Sequence, residues 1–131
     1  MQNSHYRQLI AWQKAIDLCT VLYELTESFP RSELYGIIAQ LRRAGVSVPS
    51  NIAEGRGRGS TRDYRRFLLQ ARGSLFEIET QTEIAARLRF IKREEANAVF
   101  EQTAEVIRLI NGLLNYLNRK LAARCSLQPA R

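Results

Sequence analysis

The chain has very few of the residues that build enzyme active sites and metal centres. Among its 131 residues there are one histidine and two cysteines. Cys19 lies among apolar residues of a helical stretch and Cys125 in a polar tail, so two free thiols are expected rather than a disulfide in a reducing compartment. Two scattered thiols do not form a metal site, and no Ser/His/Asp or Cys/His arrangement is evident. The sequence therefore predicts a protein that is not an enzyme and needs no cofactor.

Long apolar runs and targeting signals are missing as well. No stretch approaches the roughly 20 apolar residues that a bilayer span needs. The first residues, MQNSHYRQLIAWQK, lack the basic and then apolar order of a signal peptide. We therefore expect a cytoplasmic protein with no membrane partner, and its length of 131 residues suits one domain with a buried core.

No segment alternates apolar and polar residues as a half-buried strand does. The apolar residues recur instead every three or four positions, which is the period of a helix face. This period predicts four helices over about residues 9–28, 33–55, 60–90 and 93–123, followed by a frayed tail. The expected fold is all-α: an antiparallel, up-down-up-down four-helix bundle that occupies residues 1–131 as a single domain.

Only three prolines occur, and one of them, Pro49, falls inside the second predicted helix. The apolar rhythm continues from Val48 to Ile52, so we expect one helix kinked at Pro49 rather than two separate helices. Asn51 can bond the backbone that Pro49 opens, or reach across the bundle. Glu54 can pair with one of three arginines: Arg42, Arg43 or Arg58.

Six apolar residues fall outside the faces that this period assigns to the bundle core. A four-helix bundle needs one apolar stripe on each helix, so surplus apolar positions indicate a second buried face, which self-association would supply. The alternative is that the stripes are wide and these side chains flank the core. The six are Leu18, Val21, Tyr23, Leu69, Phe76 and Val106. On the first helix, the predicted core face contains Leu9, Trp12, Ile16, Cys19, Leu22 and Leu25.

Lysine is scarce, with 3 lysines against 17 arginines, and the net charge of +7 is concentrated in one segment. Residues 42–72 contain eight arginines and only two acidic residues, Glu54 and Asp63. The planar guanidinium group binds phosphate or carboxylate through paired hydrogen bonds and stacks on bases. The segment therefore predicts an anionic partner, either nucleic acid or an acidic protein surface. The simpler alternative is a charged surface that only keeps the protein in solution.

The sequence GRGRGST, residues 55–61, joins the second and third predicted helices. It lacks the lysine and the preceding strand of a Walker A loop, and its third glycine comes one residue too early for a GxGxxG motif. Gly55 fits a left-handed helix C-cap, and Gly57 and Gly59 allow the chain to reverse. Ser60 and Asp63 have capping-box spacing. Inside the third helix, Gly73 suggests a close approach of two helices.

A simple connection does not explain why arginines crowd this joint. The first turn of the third helix also offers unpaired N–H groups, which favour an anion. We therefore predict contacts to nucleic-acid phosphates; the main alternative is pairing with the acidic run Glu77, Glu79 and Glu83 of a neighbouring subunit. The strongest candidates are Arg56, Arg58, Arg62 and Arg66. The full candidate set adds Arg42, Arg43 and Arg65, beside a structural motif of Pro49, Asn51, Glu54 and Gly55.

Three stretches carry a resemblance to a known family: WQKAIDL, FPRSELYGIIAQLRRAGVSVPSNIAEGRGR and YRRFLLQARGSLFEIETQ. Over about residues 9–91 they are similar to the small four-helix-bundle proteins encoded in intervening sequences of 23S rRNA genes, of which NIAEG is a hallmark. That family is related to the accessory variability determinant proteins of diversity-generating retroelements. The resemblance implies an antiparallel four-helix protomer, often assembled as a ring-like homopentamer. In the retroelement relatives, the basic pentamer binds a reverse transcriptase and nucleic acid.

The sequence as a whole favours a non-enzymatic, basic, homo-oligomeric module that binds nucleic acid through phosphate contacts, RNA more than DNA. Oligomerisation would strengthen a weak site by avidity, and binding would depend steeply on salt. The alternative is a protein-interaction scaffold that serves a reverse transcriptase as an accessory subunit.

Overall fold

The structure is a computed structural model that describes residues 5–127. These residues form helices and no strand. The elements are α1 (His5–Gln8), α2 (Ile10–Thr26), a 3-10 helix (Arg31–Glu33), α3 (Ile37–Gly57), α4 (Thr61–Arg87) and α5 (Arg93–Leu127). The predicted all-α class is confirmed. The helix count differs from four because a single turn, α1, precedes the first long helix.

Two helix boundaries differ clearly from the predicted ones. The start of the second helix at residue 33 was wrong, because Gly36 adopts φ −105° and ψ −117°, outside the helical region, and α3 begins at Ile37. The Glu33 carboxylate accepts a hydrogen bond from Ile37 N at 3.4 Å and so satisfies one N–H of the first turn. At the other end of the chain, α5 continues to Leu127 where a frayed tail was expected. The rest of that tail, residues 128–131, lies outside the described residues.

The helix α3 runs through Pro49 without a break, as predicted, while the kink itself stays a prediction. Asn51 Nδ2 donates hydrogen bonds to Ser47 O at 2.8 Å and to Ser47 Oγ at 2.9 Å. The Ser47 hydroxyl is in turn 2.9 Å from Ser74 Oγ of α4. Asn51 therefore bonds the backbone beside the proline and starts a short polar chain that joins α3 to α4.

The buried face of α2 is rotated from the predicted one. It contains Ala11, Ala15, Leu18, Leu22 and Thr26. Ile16, which the pattern placed in the core, is 37% exposed. The period argument gave most weight to large apolar residues, whereas two alanines define the face that meets the other helices. Thr26 fits the buried side because its hydroxyl donates to Leu22 O at 2.7 Å, so no polar group is left unpaired there.

Two of the six apolar residues that the pattern left over belong to the core. Leu18 and Val106 are each only 1% exposed, so counting them as surplus was wrong. Val21 and Leu69 are partly buried and pack against the core, as the wide-stripe alternative expects. Tyr23 and Phe76 remain exposed, at 41% and 50%. Of the six residues, only the exposed Tyr23 and Phe76 still support the inference of a second apolar face.

All four long helices contribute to one cluster of buried side chains. The helix α3 packs against α2 and α4, and α5 packs against α2 and α4. Two polar contacts tie α4 to α5: Arg65 Nε donates to Asn118 Oδ1 at 2.7 Å, and Arg72 Nη1 to Asn111 Oδ1 at 2.8 Å. Among the described residues, none of the helices combines the length and the apolar character that crossing a bilayer requires.

Candidate nucleic-acid interface

The turn between α3 and α4 consists of Arg58, Gly59 and Ser60. Gly59 adopts a φ of +86°, a left-handed conformation that glycine reaches without steric cost. Ser60 caps α4, because its Oγ accepts a hydrogen bond from Asp63 N at 3.0 Å. The predicted capping contact is confirmed, and the glycine that reverses the chain is Gly59.

Gly55 has a different role from the predicted one. It lies inside α3 and is buried, so its assignment as a left-handed C-cap was wrong. A Cβ atom at this position would lie only 2.7 Å from Phe67 Cβ and 3.3 Å from Tyr64 O. The missing side chain therefore lets α3 and α4 approach closely. At Gly73, where close approach was expected, a Cβ atom would meet nothing within 4 Å, so that expectation was wrong too.

Two of the candidate arginines flank the ring of Phe67. The guanidinium carbon of Arg58 lies 5.0 Å from the ring centroid, and that of Arg66 lies 4.5 Å from it. Both distances are within cation–π range. Arg58 also pairs with Glu54 at 2.9 Å and Arg66 with Asp63 at 3.4 Å. The two arginine side chains are 46% and 53% exposed, so these are surface ion pairs that salt screens.

Three further candidates point charge into solvent without an ion pair or hydrogen bond among the described residues: Arg43, Arg56 and Arg62. All three are exposed. The guanidinium carbon of Arg56 lies 6.0 Å from the centroid of the Tyr64 ring, which is the outer edge of cation–π range. Arg62 belongs to the first turn of α4. These side chains keep their full positive charge available to an external anion.

Arg42 and Arg65, the remaining candidates, make contacts within the protein. Arg42 Nε donates to Thr26 Oγ1 at 2.9 Å, its Nη2 donates to Tyr23 O at 3.2 Å, and its guanidinium carbon lies 4.7 Å from the centroid of the Tyr23 ring. Arg42 thereby ties α3 to the end of α2. Arg65 is held by Asn118, which is neutral, so its charge is not cancelled. Their predicted contacts to nucleic acid stay a prediction.

The acidic run Glu77, Glu79 and Glu83 does not neutralise the joint within one chain. Glu83 accepts hydrogen bonds from Arg93 Nη1 and Arg87 Nε, each at 2.8 Å. These bonds, first from Arg93 and then from Arg87, lower the pKa of Glu83 to about 2. Among the described residues, Glu77 and Glu79 form no ion pair with the joint. Within residues 5–127, the positive charge at the turn is therefore reduced only by Glu54 and Asp63, while Arg42, farther along α3, pairs with Glu27 at 3.5 Å.

The fold adds two residues that sequence reasoning did not single out. Tyr116 and Lys120 of α5 line a cleft of about 340 Å³ together with Arg56, Thr61 and Tyr64. No local sequence signal marks this cleft, because positions 56 and 120 come to the same cleft only when α5 packs on α4.

These features define a class: an all-α protein of four long helices with an exposed, arginine-rich turn between two of them. A family model described as 23S rRNA-intervening sequence protein matches residues 7–112. The chain belongs to this family of 23S rRNA-intervening sequence proteins, and the family resemblance of the sequence is confirmed to that extent. The matches do not show the link to proteins of diversity-generating retroelements.

One solved structure supports the fold. It is the crystal structure of a protein of unknown function from the S23 ribosomal protein family of Bacteroides thetaiotaomicron VPI-5482. The two chains are 20% identical with a TM-score of 0.72, and the match covers 80% of this chain and 98% of the other. At this identity the likeness shows the fold alone. A comparison with curated proteins gives no match.

Proposed function

We propose that the protein is a non-enzymatic, basic, homo-oligomeric module that binds nucleic acid, structured RNA in preference to DNA, through contacts to phosphate. One observation carries this proposal. Four exposed arginines, Arg56, Arg58, Arg62 and Arg66, surround a single short turn, and the carboxylates beside them pair with only two of the four.

The geometry of the turn suits phosphate binding. Phe67 holds the guanidinium groups of Arg58 and Arg66 on its ring, which restricts their motion before any ligand arrives. A restrained side chain loses less conformational entropy when it binds. The surface ion pairs to Glu54 and Asp63 contribute about 0–1 kcal/mol each, so a phosphate group can compete for the same guanidinium groups.

RNA is the favoured nucleic acid because the family is named for an intervening sequence of 23S rRNA. A cytoplasmic location is part of the proposal and follows from this partner. Readout of base sequence is not part of the proposal, since arginine contacts to phosphate position a nucleic acid without reading its bases.

The homo-oligomer is the second element of the proposal. The protomer is an antiparallel four-helix bundle, and the contacts Arg65–Asn118 and Arg72–Asn111 support this, because residue numbers rise along α4 as they fall along α5. Exposed apolar side chains supply a surface for other copies: Phe76 and Ile84 of α4, and Leu88 directly after it. The family resemblance implies a ring-like pentamer. Sedimentation of the full chain should give a species larger than a monomer, and a monomer at micromolar concentration would contradict this element.

Binding is tested with a folded RNA and a DNA duplex of equal length at about 50 and about 200 mM salt, a range over which several phosphate contacts weaken affinity by orders of magnitude. We expect binding to both at low salt, tighter for RNA, and a steep loss at high salt. The variant with Arg56, Arg58, Arg62 and Arg66 changed to glutamine should bind far more weakly while its helical circular dichroism is unchanged. Lack of wild-type binding at low salt would contradict the proposal.

The alternative function, an accessory subunit of a reverse transcriptase from a diversity-generating retroelement, stays a prediction from the resemblance. Co-purification with such an enzyme that survives nuclease treatment would favour it over RNA binding.

A further inference from the structure

Most residues that line the cleft beside the turn come from three parts of the chain, and Leu9 adds a fourth. The end of α3 and the turn contribute Gly55, Arg56 and Gly59, the start of α4 contributes Thr61 and Tyr64, and α5 contributes Tyr116 and Lys120. Its volume is about 340 Å³, which is within the range of small-molecule sites, about 300–1,000 Å³. Among the described residues that line it, none is acidic.

Two cations face this cleft from separate helices, Arg56 and Lys120. Neither forms an ion pair among the described residues, and both are exposed. Two like charges that line one cleft without a carboxylate repel each other, and an anion between them removes that repulsion.

The start of α4 adds donors at the rim of the cleft. Of the first N–H groups of α4, that of Asp63 is bonded to Ser60 Oγ and that of Tyr64 to Ser60 O. The N–H groups of Thr61 and Arg62 have no acceptor among the described residues. Such groups at a helix N-terminus, with the favourable end of the helix dipole, are a common position for a phosphate group.

Tyr64 is the aromatic residue that α4 contributes to the cleft. Its hydroxyl is covered by the protein and has no hydrogen-bond partner among the described residues, although a buried hydroxyl ordinarily has one. Burial raises the pKa of Tyr64, against a smaller lowering by the Arg56 charge. The hydroxyl therefore stays protonated at neutral pH, and a turn of the Tyr64 ring would expose it as a donor to an anion in the cleft.

The opposite wall supplies an aromatic surface. Tyr116 is 52% exposed, and Lys120 Nζ lies 5.7 Å from the centroid of its ring. Exposed aromatic rings beside a basic site are where bases stack in single-stranded nucleic-acid binding. A ligand that carries both a phosphate group and a flat ring matches the basic residues and the aromatic residue that line the cleft.

We propose that this cleft binds the phosphate monoester of a nucleotide, with the phosphate between Arg56, Lys120 and the start of α4 and the base on Tyr116. The nucleotide is either a free nucleoside monophosphate or the phosphorylated end of an RNA strand. This inference rests on the proposed function only for the second source. It assigns the end of a strand to a cleft that shares Arg56 with the arginines that contact the phosphate backbone and adds Tyr116 and Lys120 of α5.

The first experiment titrates the full chain with AMP, with adenosine and with inorganic phosphate at low salt, followed by calorimetry. AMP should bind, adenosine should show no binding, and inorganic phosphate should bind more weakly than AMP. Equal binding of AMP and adenosine, or none of AMP, would overturn the proposal.

Variants then assign the contacts. Lys120→Met should weaken AMP binding at least about tenfold, because a charge-assisted hydrogen bond is lost. Tyr116→Ala should weaken AMP but leave inorganic phosphate unchanged, which separates stacking from phosphate binding. Tyr64→Phe should weaken the binding of both AMP and inorganic phosphate.

Lys92→Met is the matched control, because it removes an exposed lysine that does not line this cleft. It should bind AMP like the wild type. Equal losses of AMP affinity for Lys92→Met and Lys120→Met would overturn the assignment.

Strand ends separate this site from the proposed function. One RNA sequence is compared with a 5′-phosphate, with a 3′-phosphate and with hydroxyl ends. Tighter binding of one phosphorylated form, lost in Lys120→Met, identifies a strand end as the ligand. AMP binding without any preference among the RNAs identifies the free nucleotide. RNA binding that does not depend on the strand end, together with no AMP binding, overturns the inference and leaves the proposed function intact. AMP binding without RNA binding supports the inference and contradicts the proposed function.

Discussion

Two turns of this molecule are rich in basic residues, and they use them differently. At the turn between α3 and α4, Arg58 and Arg66 pair with carboxylates four and three positions away. Arg56 and Arg62 form no ion pair among the described residues. In the turn between α4 and α5, Arg87 and Arg93 both bind Glu83, so one carboxylate ties the two helices together. Phe90 adds a ring contact with Phe29, at 5.6 Å between centroids. Among the described residues, an ion pair joins the two helices of the second turn, and none joins the two helices of the first.

The comparison shows that the number of arginines does not decide their role. The position of a carboxylate decides it. Glu54 pairs with Arg58 directly after its own helix, and Asp63 pairs with Arg66 of its own helix. Glu83 is bonded by arginines on both sides of its turn. Arginines cross-linked in this way fix the angle between helices. Arginines without such a cross-link keep their charge exposed to solvent.

The largest expected change in stability comes from the close approach at the first turn. In Gly55→Ala, the new Cβ would lie 2.7 Å from Phe67 Cβ, an atom fixed to the backbone of α4, so the two helices must separate. Overpacking of this kind costs about 1–3 kcal/mol. We expect a lower midpoint of urea unfolding and weaker RNA binding, because Arg58 and Arg66 lose their position on Phe67.

Gly73→Ala is the control for that variant, since its Cβ meets nothing and the substitution only improves helix propensity. It should raise the free energy of unfolding by about 1 kcal/mol. If both variants were equally stable, Gly55 would not be a close-packing position.

A smaller effect comes from the residue that reverses the chain in each turn. The first turn has Gly59 at φ +86°, and the second has Arg89 at φ +64°. A left-handed conformation costs a residue with a side chain about 1–2 kcal/mol relative to glycine. Gly59→Ala should therefore lower the free energy of unfolding, and Arg89→Gly should raise it, each by about 1 kcal/mol. Thermal unfolding of both variants checks this, and shifts of the same sign would contradict it.

The smallest effect concerns pH. The pKa of Glu83 is about 2 in the folded protein, below its ordinary value of 4.5, because Arg93 and Arg87 bond its carboxylate. The ionised form therefore stabilises the fold above its unfolded pKa, and this contribution is lost as the pH falls through about 2. Glu83→Gln should be less stable than the wild type at pH 7, and the difference should shrink below pH 4.5. A difference that does not change with pH would show that Glu83 acts by packing.

The sequence predicts the helices well because their apolar periods are long and regular. It predicts less well which face is buried, since Ala11 and Ala15 count little in a period argument but lie at 3% and 0% exposure. The sequence also does not predict the role of each glycine. Gly55 and Gly73 look alike along the chain, and only the packing of α4 on α3 makes one indispensable.

The candidate site was predictable in its arginines and not in its surroundings. Clustering of charge between residues 42 and 72 is visible in the sequence. Whether Arg42 bonds to Tyr23 and Thr26, or Arg58 to Glu54, depends on helix packing and side-chain geometry. Lys120 and Tyr116 come from a helix remote in sequence, so no spacing rule could join them to Arg56.

The salt dependence of RNA affinity in two charge-matched variants tests the central claim most directly. One variant changes Arg56, Arg58, Arg62 and Arg66 to glutamine, and the other changes Arg31, Arg87, Arg89 and Arg93. Each lost phosphate contact lowers the slope of log affinity against log salt by about 0.7–0.9. The first variant should lose about 3 units of slope, and the second should keep the wild-type slope. Equal losses in both variants would mean that RNA responds to net charge alone, and the first turn would have no special role.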